Sequence, residues 1–325
     1  LNIVAVKTLT QITPRLGFDY LQNFGFTTLI ESKEINGQIF SDIQQSLALG
    51  GITDGVTNEE LNASYATIAN HGTYIKPKLY NTVVDHDGNI ILDNTQSEAK
   101  QVIKETTAFL LTDAMASSME SNRKFARSGV SVNSTSVAAN IPAMSNAGKS
   151  GTTSNNVDIW FVGYTPYYTA GIWAGCDSNQ RLGGRNGNTS FHKAIWRKIM
   201  TRLHENLADP GFEIPDSIET AEICRKSGKL AIPGVCSSDP RGNATYTEYF
   251  AKGTVPTEVC DTHVRTTVCA SSGLLPGTFC PRATRVRITL PADTEGSTDD
   301  SAFALSSRRC PGHAATVIPP EGEGE

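Results

Sequence analysis

A chain of 325 residues can bury a large core and has room for one big domain or two smaller ones. Hydrophobic residues at 38% and charged residues at 19% fit a folded globular protein and exclude a disordered one. A net charge of -5 gives no electrostatic case for nucleic acid or an anionic membrane surface, so neither is expected as a partner.

Ile3, Val4, Val6, Leu9 and Ile12 recur at helical spacing before Pro14 and Gly17 interrupt. Gly50, Gly51, Asp54 and Gly55 mark a turn. Thr57-Asn58-Glu59-Glu60 reads as a capping box, opening a helix with Leu61, Tyr65 and Ile68 on one face that ends near Gly72. Strand-like runs at 79–84 and 89–92 flank Asp87-Gly88, a hairpin turn signal. Residues 104–120 form a helical pattern with Phe109, Leu110, Ala114 and Met115 as its stripe. Residues 121–156, rich in Ser, Asn and Gly, read as a loop. Strands are expected at 157–164 and 168–175, joined by Thr165-Pro166-Tyr167. A final helix near 189–207 carries Phe191, Ile195, Trp196, Ile199 and Leu203. The order implies an α+β fold with helices packed on an antiparallel sheet. The boundary is expected at Pro210, giving a domain over 1–209 and a Cys-rich, loop-dominated extension over 210–325.

No apolar run approaches the ~18–20 residues that span a bilayer. The chain begins at Leu1, inside an apolar-periodic stretch, with no signal-peptide pattern. The expectation is a truncated start, with any membrane anchor further upstream.

Cys176 stands alone, and the other six cysteines lie in the last third. Cys224-Arg-Lys-Ser-Gly leading to Cys236 parallels Cys269-Ala-Ser-Ser-Gly leading to Cys280, and Cys260-Asp-Thr-His263 echoes Cys310-Pro-Gly-His313. An even cluster in a loop-rich segment suggests disulfides in an oxidising compartment. The simplest pairing is Cys224–Cys236, Cys269–Cys280 and Cys260–Cys310, one of the 15 connectivities that six cysteines allow. The alternative gathers the two Cys-x-x-His pairs around zinc as a tetrahedral Cys2His2 set.

Lys149-Ser150-Gly151-Thr152 stands before the strand pair. A strand edge there offers backbone N–H and C=O groups to an extended peptide. Glycine permits close approach, lysine supplies charge for a terminal carboxylate, and the hydroxyls of Ser150 and Thr152 add hydrogen bonds. Read structurally, the same residues are a polar turn ahead of a strand. Gly148-Lys149-Ser150 also ends a degenerate P-loop, with Ala143 in place of the first glycine, but a P-loop needs a strand before it and a helix after it.

Several motifs occur together. Ala147-Gly148-Lys149-Ser150-Gly151-Thr152-Thr153 precedes Trp160-Phe161-Val162-Gly163-Tyr164-Thr165-Pro166 and Gly171-Ile172-Trp173-Ala174-Gly175. Upstream stand Leu49-Gly50-Gly51-Ile52-Thr53-Asp54-Gly55-Val56-Thr57 and Ala63-Ser64-Tyr65-Ala66-Thr67-Ile68-Ala69-Asn70-His71-Gly72. Tyr249-Phe250-Ala251-Lys252-Gly253-Thr254-Val255-Pro256-Thr257 follows in the tail. Over roughly residues 1–260 the chain resembles the bifunctional (class A) penicillin-binding proteins, which implies the penicillin-binding, serine β-lactamase-like fold.

The resemblance implies a peptidoglycan D,D-transpeptidase, working on the extracytoplasmic face of a bacterial membrane through a serine acyl-enzyme. It would cross-link stem peptides and be the target of β-lactams, with no cofactor. Such enzymes carry Ser-x-x-Lys, Ser-x-Asn and Lys-Thr/Ser-Gly in that order. Lys149 and Thr152 would bind the substrate carboxylate, Ser150, Gly151 and Thr153 would shape and line the strand edge, and Asn2 would be the asparagine of Ser-x-Asn. The nucleophile is then expected upstream of Leu1, leaving this piece inactive alone and its preceding part a necessary partner. Ser-x-x-Lys occurs by letters at Ser97 and Ser121, in polar segments with no apolar wall to lower the lysine pKa, and at Ser190, which opens the final helix; Ser-x-Asn occurs at Ser131 and Ser154, both within the Ser/Asn-rich loop. The competing class is a non-catalytic, transpeptidase-like module that binds wall or partner proteins.

Overall fold

The computed structural model describes residues 2–120, 123–124, 131–132, 134–178, 180–182, 190–290 and 300–313. It divides into two compact units, one of residues 1–122 and 133–218, the other of 123–132 and 219–325. Of the Ser-x-x-Lys and Ser-x-Asn letter matches, Ser121, Asn133 and the side chains of Lys124 and Ser131 lie outside the described residues.

The first unit opens with α1 (Asn2–Ile12) and α2 (Pro14–Asn23). Pro14 starts α2 instead of merely breaking α1: at the first helical position its absent N–H is no loss, and Thr13 Oγ1 accepts the Leu16 amide at 3.3 Å. Leu9, Phe18 and Leu47 form a small core here. A short hairpin, β1 (Lys33–Ile35) and β2 (Gln38–Phe40), precedes α3 (Asn58–Ala69). The capping box of α3 is complete, with Thr57 Oγ1 accepting from the Glu60 amide at 3.1 Å and Glu60 from the Thr57 amide at 3.4 Å.

Four short strands follow, β3 (Thr73–Ile75), β4 (Thr82–Val84), β5 (Ile90–Asp93) and β6 (Ala99–Gln101), before α4 (Glu105–Ser117). β4 and β5 form the expected hairpin, and β3 pairs antiparallel with β6. The antiparallel pair β7 (Arg123–Lys124) and β8 (Ser131–Val132) falls in the second unit.

The sheet that organises the first unit has three antiparallel strands in the order β11-β10-β9: β9 (Ala147–Thr152), β10 (Ile159–Tyr164) and β11 (Thr169–Ala174). The loop expected over 121–156 therefore gives way at Ala147 to a strand. Gly148 and Gly151 obscure it in the sequence, because their lack of side chains hides the apolar alternation. Helix α5 (Phe191–Leu203) packs on one face. Its buried line is His192, Trp196 and Met200, at i, i+4 and i+8, whereas Phe191, Ile195, Ile199 and Leu203 of the expected stripe are exposed. The Trp196 ring meets Phe161 edge-on at 5.1 Å, and its Nε1 donates to Ala170 O at 2.9 Å.

The second unit is loop-rich, as expected, but not without regular strands. Strands β12 (Ile218–Cys224), β13 (Thr245–Ala251), β14 (His263–Cys269) and β15 (Arg282–Ile288), seven residues each, form two hairpin-like pairs, β12-β13 and β14-β15. Cysteines and glycines at the strand ends dilute the periodicity that would announce them. The disulfide framework is also absent: all six tail cysteines are free thiols. Cys224, Cys236 and Cys260 gather with His263, and Cys269, Cys280 and Cys310 gather with His313. The expected Cys260–Cys310 bridge joins members of different clusters. The clusters sit at the two ends of β14, which at about 3.3 Å per residue is roughly 20 Å long, far beyond the ~4.4–6.8 Å Cα separation of a disulfide. The Cys2His2 alternative fails for the same reason, since its two Cys-x-x-His pairs lie at opposite ends of that strand.

Candidate active site

Lys149, Ser150, Gly151 and Thr152 lie consecutively on β9, the edge strand of the three-stranded sheet. Register with β10 places Lys149 opposite Val162, Ser150 opposite Phe161, Gly151 opposite Trp160 and Thr152 opposite Ile159. Opposed residues share a face, so Ser150 and Gly148 lie on the side where Phe161 meets α5. Lys149 and Gly151 lie on the other side, with Val162 and Trp160.

The position of β9 is fixed from both sides. A Cβ at Gly148 would stand 2.7 Å from Phe161 Cζ and 2.9 Å from Val162 O, so only glycine lets β9 and β10 approach so closely. At the far edge, the carbonyl of Gly148 accepts the Ser118 hydroxyl at 2.8 Å and the Ser136 hydroxyl at 3.5 Å. Ser118 caps the end of α4, which is held in turn by Tyr164: Thr112 Oγ1 donates to Ala108 O, so the Tyr164 hydroxyl donates to Thr112 at 2.6 Å. Neither serine stands out in the sequence, where both fall among many others.

Carbonyls two residues apart on a strand point the same way. The Ser150 carbonyl therefore also faces the open edge, where Lys149 Nζ donates to it at 2.8 Å. Among the described residues no carboxylate lies within ion-pair distance of Lys149. The same holds for Lys193 of α5, whose Nζ donates to Thr135 O at 2.7 Å. Desolvation holds the Lys149 pKa below the ordinary lysine value. Burial, and then the charge of Lys149, do the same to Lys193. Two neighbouring ammonium groups, with no carboxylate in ion-pair distance among the described residues, make an attractive place for a carboxylate.

Thr153 has a different setting. Its hydroxyl accepts the Asp158 amide at 2.8 Å and its own amide donates to Asp158 O at 3.1 Å, so it closes the connection into β10. Asn2 opens α1 and is exposed; no described hydrogen bond or ion pair links it to 149–152.

The penicillin binding protein transpeptidase domain family matches residues 1–201, so all of this edge-strand site lies within it. The chain belongs to that family. A second family, penicillin-binding protein 1A, C-terminal domain, matches residues 214–265. Among curated proteins, penicillin-binding protein 1A of Clostridium botulinum is 33% identical over 281 residues, covering 86% of this chain and 31% of that protein. Penicillin-binding protein 1A of Clostridium novyi is 31% identical over 310 residues, covering 94% and 33%. The chain thus spans about a third of the length of these relatives. In fold it is similar to the crystal structure of penicillin-binding protein 1A from Haemophilus influenzae, with a TM-score of 0.60 and 19% identity, over 80% of this chain and 39% of that one. Among the described residues of this transpeptidase-family chain, no helix is long and apolar enough to cross a membrane.

Proposed function

We propose that this chain is the substrate-carboxylate-binding portion of a serine-type peptidoglycan D,D-transpeptidase, and that the intact enzyme is acylated by β-lactams on the extracytoplasmic side of the membrane. The observation that carries the reading is the open edge of β9 with the Lys149 ammonium beside it, which meets no carboxylate among the described residues. A stem peptide ending in D-Ala-D-Ala is an extended chain with a terminal carboxylate. It would add to β9 as a strand, its carboxylate taken by Lys149 and Thr152. Ser150 and Gly151 shape that edge, and Asn2 is assigned by family position to hold the substrate amide. A β-lactam presents the same amide and carboxylate.

The reaction needs a serine that attacks the penultimate D-Ala carbonyl, a base that takes its proton and an acceptor amine that resolves the acyl-enzyme. The serine is placed in a segment that precedes this chain. Of the Ser-x-x-Lys matches within it, Lys100 spends its ammonium on Asn23 Oδ1 at 2.7 Å, and Ser190 is an exposed residue at the start of α5 whose lysine is bound to Thr135 O.

Fluorescent penicillin labelling tests this. The parent polypeptide should take up the label and this chain alone should not. Labelling of this chain alone would overturn the placement of the nucleophile and make Ser190 the first residue to replace. A parent polypeptide that takes none would favour a non-catalytic, wall-binding module.

A further inference from the structure

The second unit is a tandem duplication. Strands β12 and β14 carry the same burial sequence, buried at the first position and at the last two, and both end in a buried cysteine, Cys224 or Cys269. Each cysteine begins an identical tight turn. The amide of Gly228 donates to Cys224 O at 2.8 Å, and that of Gly273 to Cys269 O at 2.8 Å. Both glycines have left-handed φ, 71° and 72°. Beyond the turn, Leu230 O accepts the Cys260 amide and Leu275 O accepts the Cys310 amide, each at 2.8 Å. These backbone contacts around the first thiol cluster thus each have a counterpart in the second.

Each repeat brings three thiols and one imidazole together, with the ligand atoms within 4.8 Å of one another. In the first, His263 Nδ1 lies 3.4 Å from both Cys224 Sγ and Cys260 Sγ. In the second, His313 Nδ1 lies 3.3, 3.8 and 3.9 Å from the sulfurs of Cys280, Cys310 and Cys269. Metal–ligand lengths of about 2.3 Å to sulfur and 2.0–2.1 Å to nitrogen put neighbouring S and N atoms about 3.6 Å apart on a tetrahedron. The clusters therefore already have the span of a four-coordinate ion.

The surroundings match as well. The amide of Ile232 donates to Cys236 Sγ and that of Gly277 to Cys280 Sγ, each at 3.2 Å, which suits a thiolate. On its far side, His263 Nε2 meets the buried carboxylate of Asp239 at 2.7 Å, fixing the ring with Nδ1 toward the sulfurs. Lys226 and Asp300 complete that buried charge network. A disulfide uses two sulfurs and gives no role to the histidine.

We infer that the second unit holds two structural zinc ions, one bound by Cys224, Cys236, Cys260 and His263, the other by Cys269, Cys280, Cys310 and His313. Four protein ligands leave no open position, so the ions hold the repeats together and do no chemistry on substrate. Binding releases the thiol protons and couples the metal to folding of the unit.

The test is elemental analysis with native mass spectrometry on the untagged chain, purified without chelator or reductant. The expected result is two zinc ions per chain, with all seven cysteines alkylated after acid denaturation without reduction. Cys236→Ala and His263→Ala should each remove one ion, and Cys280→Ala the other. Because such variants can unfold the unit, cobalt exchange provides a second readout. Two equivalents should give the intense visible bands of tetrahedral thiolate coordination. A metal-free chain whose cysteines need reduction before alkylation overturns the inference, as does zinc content unaffected by every variant, or weak octahedral cobalt bands.

Discussion

Ser118 at the end of α4 donates its hydroxyl to the carbonyl of Gly148 at 2.8 Å, tying a helix terminus to the open edge of β9. The bond holds β9 in place one residue before Lys149. Ser118→Ala should cost about 0.5–1.5 kcal/mol, the usual worth of one such bond. It should also slow penicillin acylation of the parent polypeptide more than that loss of stability explains. Equal thermal midpoints and equal acylation rates for the two proteins would show that Ser118 does not position the strand.

Gly148 is needed for packing. Gly148→Ala puts a methyl group against Phe161 Cζ and the carbonyl of Val162, both under 3.0 Å away. The expected destabilisation is about 1–3 kcal/mol, the range for overpacking a close-packed interior. Chemical denaturation should show a lower midpoint with an unchanged slope. A neutral result would mean that β9 and β10 can separate at little cost.

Thr57 and Glu60 set the entry to α3. Partial burial pushes the Glu60 carboxyl up, but hydrogen bonds from the Thr27 amide and hydroxyl and the Thr57 amide outweigh it and hold its pKa below the ordinary value. A depressed carboxylate contributes stability that is present above its unfolded pKa and is lost as pH falls through the folded one. Thr57→Ala should cost about 0.5–2 kcal/mol. Glu60→Gln should make acid unfolding less steep; identical acid profiles would remove Glu60 from the account.

The depressed pKa of Lys149 carries its own pH signature. Its charge is complete at low pH and is lost as pH rises through a value below that of an exposed lysine. Carboxylate recognition should therefore weaken on the alkaline side earlier than an ordinary lysine would allow. Lys149→Arg keeps its charge throughout. Its acylation rate, lower at neutral pH because the fork fits differently, should no longer fall there. An alkaline limb that persists in Lys149→Arg belongs to another group.

The sequence was most legible where chemistry is local. Thr57 and Glu60 announce a capping box by type and spacing, and the box forms. The largely apolar runs that become β10 and β11 are continuous enough to be read within two residues of their ends. Lys149-Ser150-Gly151-Thr152 was legible as a motif, but its state as a strand was not, because two glycines erase the alternation. The face of α5 was misread because Ile195, Ile199 and Leu203 look like core, while the buried line runs through His192. In the tail, Cys-x-x-Ser-Gly and Cys-x-x-His were both visible as repeats. What joined them was a long-range pairing through Leu230 and Leu275 that spacing along the chain does not encode. Local neighbours and matching repeat positions therefore suggest disulfides, although the fold assembles each set from four separate positions.

The proposed function turns on Lys149 as the cation that would take the substrate carboxylate at β9. The most direct measurement is the second-order rate of penicillin acylation for Lys149→Ala in the parent polypeptide, beside its thermal midpoint. Loss of a charge-assisted contact at the reacting site should slow acylation on the order of 100-fold. The midpoint should hold, because among the described residues Lys149 is bonded to its own strand. An unchanged rate would contradict the assignment of β9 as the strand that receives the substrate.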